Sequence, residues 1–238
     1  MKAFIPAAGL GTRLKPWTDS HPKALFPVDG IPMLERVITK IHSFGINDIT
    51  INCHHFSGQI KDFISAKGWQ INISDESDEL LETGGGLLKA APFLLGDEPI
   101  LVHNADILSN VDFRQLQKAH ENFQSEATLL VSDRRSSRKL YFNRENRLHG
   151  WGNHTSGEYR PSGFTPGGTD REYAFSGIYI VSPHLIRNMQ AHGWHGKFSI
   201  MDYFLSTCRT ADYKAHCQSD LQLIDIGKPD ALNKTPQK

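Results

Sequence analysis

Short apolar runs alternate with amphipathic stretches through the first half of the chain. Residues 2–6 form an apolar run that ends in a Gly-rich turn, which predicts a buried strand. Residues 32–44 place Met33, Leu34, Val37, Ile38 and Ile41 on one helical stripe. Pro32 suits the first turn of that helix, and Gly45 suits the position after its end. Residues 48–53 and 69–74 alternate like strands on either side of a helical segment, 57–67, which carries Ile60, Phe63 and Ile64 and stops at Gly68. Residues 86–95 predict a helix that Pro92 kinks or ends. A buried strand at 99–103, a helix at 112–123 and a strand at 126–132 follow. Strands separated by helices imply βαβ units. The expected fold class is therefore α/β: a Rossmann-like mixed sheet, mostly parallel, with helices on both faces.

The pattern loosens after residue 133. Residues 134–170 are rich in Arg, Ser, Gly and Asn with little periodicity, which predicts short strands and an active-site flap. Strand character returns at 172–181, helical turns are expected near 183–190 and 199–207, and a last strand at 221–226. The tail after Leu232 is polar and expected to fray. No internal repeat and no dividing linker is present, so one domain over 1–238 is expected.

Composition narrows the classes. Lys plus Arg total 26 and Asp plus Glu total 26, a balance that argues against a general nucleic-acid binder or a polybasic membrane binder. No apolar run approaches the ~20 residues of a membrane-spanning helix. Cys53, Cys208 and Cys217 form no Cys-x-x-Cys pair, and the N-terminal apolar run is too short for a signal-peptide core. Both points lead to the expectation of a cytoplasmic protein without structural zinc. The histidines form no His-Glu-x-x-His array, and adjacent His54 and His55 on a strand would face opposite sides.

Candidate chemistry begins directly after the first strand, at Ala7-Ala8-Gly9-Leu10-Gly11-Thr12-Arg13-Leu14. Small residues let the backbone approach a ligand closely, and several N–H groups can point at phosphate oxygens. Neither Gly-Lys pair of the chain precedes Ser or Thr, so a Walker A loop is absent. A dinucleotide fingerprint needs a third glycine where Leu14 stands and an acidic residue at the end of the second strand, where Cys53-His54-His55 stand.

Gly9, Gly11, Arg13 and Pro22-Lys23 resemble the signature of the sugar-1-phosphate nucleotidyltransferases. Leu14-Lys15-Pro16-Trp17-Thr18 and Leu25-Phe26-Pro27-Val28 are similar to the segments that surround it. The resemblance continues in family order through Glu82-Thr83-Gly84-Gly85-Gly86, Asn104-Ala105-Asp106, Phe175-Ser176-Gly177-Ile178 and Asp225-Ile226-Gly227-Lys228-Pro229. Within the family the blocks look most like those of N-acetylmuramate-1-phosphate uridylyltransferases. Mannose-1-phosphate guanylyltransferases and heptose-1-phosphate nucleotidyltransferases stay in contention.

The resemblance implies the nucleotide-diphospho-sugar transferase fold and transfer of a nucleoside monophosphate from an NTP to a sugar 1-phosphate. UTP is favoured as the NTP and GTP stands second. It implies Mg²⁺ held by Asp106 and Asp225, catalytic roles for Arg13, Lys23 and Asp106, and nucleotide contacts from Ala7, Ala8, Gly9, Gly11, Thr12, Arg13, Lys23, Gly84, Gly85 and Asn104. Asn153 and Gly177 are the implied sugar contacts. The attacking phosphate is already ionised at neutral pH, so such a reaction needs positioning and charge neutralisation rather than a strong base.

Three departures stand out. Ala105 replaces the usual glycine before the first metal aspartate, and Leu223-Ile224 replace an aromatic before the second. The Glu-Lys-Pro segment that supplies a sugar-phosphate lysine in relatives is missing near 149–153, leaving Arg144, Arg147 and Lys197 as candidates. No segment resembling the left-handed β-helix of larger relatives follows Asp225, so a single catalytic domain is expected. A homodimer is compatible with the resemblance. A non-catalytic nucleotide-sugar regulator on the same fold is the second reading. A glycosyltransferase is the third, and the absence of an Asp-x-Asp motif counts against it.

Overall fold

The computed structural model describes residues 1–226. The chain runs β1 (Lys2–Pro6), β2 (Pro27–Val28), β3 (Ile31–Pro32), α1 (Met33–Ser43), β4 (Ile49–Cys53), α2 (Ser57–Ala66), β5 (Asn72–Asp75), α3 (Glu82–Lys89), α4 (Ala91–Leu94), β6 (Ile100–His103) and β7 (Ile107–Ser109). It continues through α5 (Phe113–Phe123), β8 (Ala127–Ser132), β9 (Arg138–Phe142), β10 (Leu148–Asn153), β11 (Glu158–Arg160), β12 (Arg171–Val181), α6 (Pro183–Ala191), α7 (Ile200–Thr207), β13 (Tyr213–Cys217) and β14 (Leu223–Asp225).

A parallel block in the order β6-β1-β4-β5 lies at one side of the main sheet. β12 is inserted antiparallel between β6 and β8, and β13 pairs parallel with β8. Thus β1, β4, β5, β6, β8 and β13 all point the same way, as the βαβ pattern predicts. Helices cover both faces. Alternation along β1 sends Ala3 and Ile5 to the side of α1, α2 and α5, and Phe4 to the side of α3, α4, α6 and α7. The stripe Leu34, Val37, Ile38 and Ile41 of α1 is buried in the first of these layers, and Leu185, Ile186 and Met189 of α6 in the second. At roughly 1.5–3 kcal/mol for each fully buried aliphatic side chain, these stripes hold the helices to the sheet.

The short strands expected within residues 134–170 are present. β9, β10 and β11 form an antiparallel meander carried on the N-terminal end of β12. Its turns are made by Asn143, whose Oδ1 accepts from the Glu145 and Arg147 N–H groups, and by Asn153, whose Oδ1 accepts from the Thr155 N–H. The expected helix 86–95 is two helices. α3 begins at Glu82 and ends at Lys89, and Pro92 sits in the first turn of α4, where a missing N–H is harmless. The strand expected at 69–74 is Asn72–Asp75, because the Trp69 N–H still bonds to Ile64 O at the exit of α2. The strand expected at 221–226 is Leu223–Asp225. It pairs with β7 in a separate two-stranded ribbon rather than joining the main sheet. Gly227, Lys228, Pro229 and the polar tail lie outside the described residues. Among the described residues no helix is long and apolar enough to cross a membrane.

Candidate active site

The carboxyl ends of β1, β4 and β6 meet at one edge of the parallel block, the position where open α/β sheets bind ligands. The loop after β1 is tied down from below. The Ala7 N–H donates to Asn52 Oδ1 at 2.7 Å, and Asn52 Nδ2 donates to Glu76 Oε1 at 2.7 Å. The other Glu76 oxygen accepts from the Leu81 N–H, just before α3. Glu76 is fully buried, and that burial raises its carboxyl pKa. Asn52 and Glu76 were not legible as site residues. The only trace is a single asparagine in the strand Ile-Thr-Ile-Asn-Cys.

Lys23 opens a short 3-10 turn, and its ammonium pairs with the Asp106 carboxylate. Gly11 makes this passage possible. Its φ is +64°, and a Cβ there would lie 2.7 Å from the Lys23 Cβ. Asp106 follows β6 directly. Asp225 ends β14 and pairs with Ile107, and the Ile226 N–H donates to Asp106 O at 3.1 Å, so the two aspartates stand on adjacent backbones.

Two cavities meet at Asn104, Asp106 and Ser199. The smaller, about 320 Å³, is lined by Ala7, Ala8, Gly9, Lys23, Asn52, Glu82 and Thr83 besides those three. The larger, about 760 Å³, is walled by one face of the meander and by Arg13, Arg134, Ser176, Gly177 and Asp225. Its arginines are Arg13, Arg134, Arg138 and Arg160, against the carboxylates of Asp106, Glu158 and Asp225. With Lys23 beside it, this basin suits phosphate groups.

Most of the expected residues converge here, though several do so differently. Ala7 lines the smaller cavity, but its N–H is already committed to Asn52. Arg13 opens onto the larger cavity. Gly11 and Thr12 line neither. Gly84 and Gly85 lie inside α3 and also line neither. A Cβ on Gly84 would come 2.4 Å from the Phe198 ring, and one on Gly85 would come 2.2 Å from Gly196 O. Close packing on residues 196–200 therefore accounts for these glycines, while Glu82 and Thr83 of the same helix face the cavity. Gly177 has φ +76° at the irregular pairing of β12 with β8, and a Cβ there would meet Asn104 Nδ2 at 2.7 Å. It lines the larger cavity and also lets the Asn104 side chain fit.

Asn153 lines neither cavity and serves the β10–β11 turn. Of the cations expected near the sugar phosphate, Arg144 is exposed on the β9–β10 turn, Arg147 pairs with Asp212 at 2.9 Å, and Lys197 lies 3.7 Å from Glu82. None of the three lines the larger cavity. His103, beside the motif, is a packing residue. Its ring meets Phe113 edge-on, its Nδ1 bonds to Asn104 O, and burial pushes its pKa down to about 4, so it is neutral.

The donor set fits a hard divalent cation. Among the described residues no cluster of three or more His, Cys, Asp or Glu is placed to hold a metal. Two carboxylates lining one cavity, as Asp106 and Asp225 do, are what Mg²⁺ takes when substrate phosphates and water complete its shell. The Lys23 ammonium already occupies Asp106 as a cation would.

A nucleotidyl transferase family model matches residues 2–238. The N-acetylmuramate alpha-1-phosphate uridylyltransferase of Neisseria meningitidis serogroup B is 42% identical over 116 residues, which is 48% of this chain and 50% of that protein. The enzyme of the same name from Caulobacter vibrioides is 38% identical over 44% of this chain and 45% of its own. Probable mannose-1-phosphate guanylyltransferase 3 of Oryza sativa is 35% identical over 56% of this chain and 38% of its own. The matches thus span about half the length of these curated relatives or less. A putative glucose-1-phosphate thymidylyltransferase from Bacillus anthracis has the same fold. Its TM-score is 0.79 at 20% identity, with 99% of this chain and 93% of that chain covered. HddC from Yersinia pseudotuberculosis shares the fold too, with a TM-score of 0.77 at 22% identity over 98% of this chain and 97% of that one.

Proposed function

Because the chain belongs to the nucleotidyl transferase family, we propose that it joins a nucleoside triphosphate to a sugar 1-phosphate, giving a nucleoside-diphosphate sugar and pyrophosphate. The observation that carries this reading is the Lys23–Asp106 pair at the junction of two cavities, with Asp225 on the neighbouring strand. The nucleoside and its α-phosphate occupy the smaller cavity, against the Ala8–Gly9 backbone and the Glu82–Thr83 edge of α3, and the β- and γ-phosphates reach Arg13 in the larger one. The sugar 1-phosphate occupies the rest of the larger cavity.

A sugar-phosphate oxygen attacks the α-phosphorus, the bond from that phosphorus to the β-phosphate oxygen breaks, and pyrophosphate leaves in line. Neither phosphate needs deprotonation at neutral pH, so the protein supplies position and charge. Lys23 leaves Asp106 for the α-phosphate, where negative charge builds. Arg13 takes the β- and γ-phosphates, because a planar guanidinium matches two oxygens at once. Asp106 and Asp225 would hold Mg²⁺, which neutralises phosphate charge when bound. Asn104, pinned through its N–H to Gly177 O at 3.1 Å, lines both cavities and keeps the two substrates in register.

The favoured pair is UTP with N-acetylmuramate 1-phosphate, which rests on likeness to the Neisseria and Caulobacter proteins. GTP with mannose 1-phosphate is the second, on likeness to the guanylyltransferases. The test is a matrix of nucleoside triphosphates against muramate, mannose, heptose and glucosamine 1-phosphates, with Mg²⁺ and pyrophosphate detection. Turnover with UTP and N-acetylmuramate 1-phosphate above all other pairs supports the favoured assignment. Nucleotide binding without pyrophosphate release from any pair would leave the non-catalytic reading.

A further inference from the structure

Four arginines line the larger cavity, and one of them stands apart from the rest. Arg13 stands exposed on the 3-10 turn after the phosphate loop. Arg160 is neutralised, with its Nη2 2.7 Å from Asp202 Oδ1, the carboxylate that also caps α7. Arg138 is exposed at the start of β9. Arg134 differs from all of these. Its Nη2 donates to Phe175 O at 2.9 Å, and its backbone carbonyl accepts from the buried Lys139 ammonium at 3.2 Å. Its Nε is buried and has no hydrogen-bond partner among the described residues.

Buried polar groups are almost always paired, so an orphaned guanidinium N–H calls for an acceptor. Arginine cannot escape by losing its proton, so the acceptor must be one that tolerates full positive charge. Asp225 contributes a field on Arg134 but is itself one of the two carboxylates suited to the metal. A phosphate monoester dianion answers both needs. It brings several acceptor oxygens and the charge to balance the basin. Phe175 O, which holds the guanidinium, lies two residues from Gly177 and on the same strand as the Asn104 contact.

We propose that Arg134 is the anchor for the phosphate of the sugar 1-phosphate, with Arg138 as a second cation on the same wall. This rests on the assignment of the larger cavity to the sugar substrate. It fills the place left by the absent lysine near residues 149–153, a segment that offers the cavity Trp151 instead. An arginine whose guanidinium is held on Phe175 O before substrate arrives loses little freedom on binding, and it presents a fork that orients the attacking oxygen as well as holding the charge.

The test separates the two substrates. With the productive pair, Arg134→Gln raises KM for the sugar 1-phosphate about 10- to 100-fold and leaves KM for the triphosphate within about twofold. Arg134→Lys recovers part of the loss, because it keeps charge but not the fork. Arg187→Gln, on the exposed face of α6 with its Nη2 on Gly96 O, serves as the control and changes neither. Equal changes in both KM values, or none, overturn the proposal. Should Arg134→Gln fail to fold, the same split in Arg134→Lys decides. A second arm titrates inorganic phosphate by ³¹P line broadening into the wild type, Arg134→Gln and Arg13→Gln. Loss of phosphate binding in Arg134→Gln beyond that in Arg13→Gln supports the anchor; equal binding in the wild type and Arg134→Gln, or no binding at all, removes it. If the wild type turns over no pair at all, the transferase reading fails, and this arm still judges Arg134 alone.

Discussion

Lys23 and Asp106 neutralise each other in the unliganded protein, and the proposed reaction requires both to change partners. Asp106→Asn keeps the shape and removes the charge. It should lower kcat about 10²- to 10³-fold while the thermal midpoint holds, as measured by steady-state kinetics beside circular-dichroism melting. Lys23→Ala should do the same through loss of the cation at the α-phosphate. Normal turnover in both variants would contradict their placement. These residues, with Arg13, Asn104 and Asp225, were legible because their motifs carry chemistry in a fixed order along the chain. Asn52, Glu76 and Arg134 were not. A lone asparagine in an apolar strand has no evident task until parallel pairing sets it beneath the phosphate loop. An arginine in an aperiodic stretch has none until β9 pairs with β12 and brings it to the cavity.

The amphipathic helices were legible to within a residue or two, as α1 and α5 show against 32–44 and 112–123. The start of α3 was hidden, because three successive glycines have poor helix propensity. Tertiary packing overrides that propensity. Gly85→Ala would set a Cβ 2.2 Å from Gly196 O, a backbone atom that cannot swing aside. It should destabilise by about 1–3 kcal/mol in urea unfolding. Gly9→Ala meets nothing within 4 Å among the described residues and should stay within about 0.5 kcal/mol of the wild type, while raising KM for the triphosphate. Equal stability losses would contradict the contrast drawn between a packing glycine and a ligand-facing one. The ribbon of β7 and β14 was half legible. The strand at Asp225 was expected, but its partner follows Asp106 by only one residue and is too short to show a period.

At the scale of the whole molecule, the parallel block could be read from alternation, whereas the insertion of β12 between β6 and β8 could not. Antiparallel pairing over long sequence separations leaves no local pattern. Burial also shapes the response to acid. It pushes the pKa values of His103 and His120 down to about 4 from 6.5. Both imidazoles stay neutral in the fold through that window, whereas the unfolded chain takes up protons there. The unfolded state therefore gains, and stability falls as pH drops from 6.5 towards 4, on the order of 1.4 kcal/mol per pH unit for each histidine. Urea midpoints at pH 7 and pH 5 test this, and His120→Leu should flatten the slope; an unchanged midpoint would count against it. One reaction at the junction of two cavities is tested by the ratio of pyrophosphate released to nucleoside-diphosphate sugar formed by the wild type, with Asp106→Asn run in parallel. One pyrophosphate per sugar nucleotide and near-silence in the variant are expected. Pyrophosphate without a sugar nucleotide, or equal rates in both proteins, would contradict it.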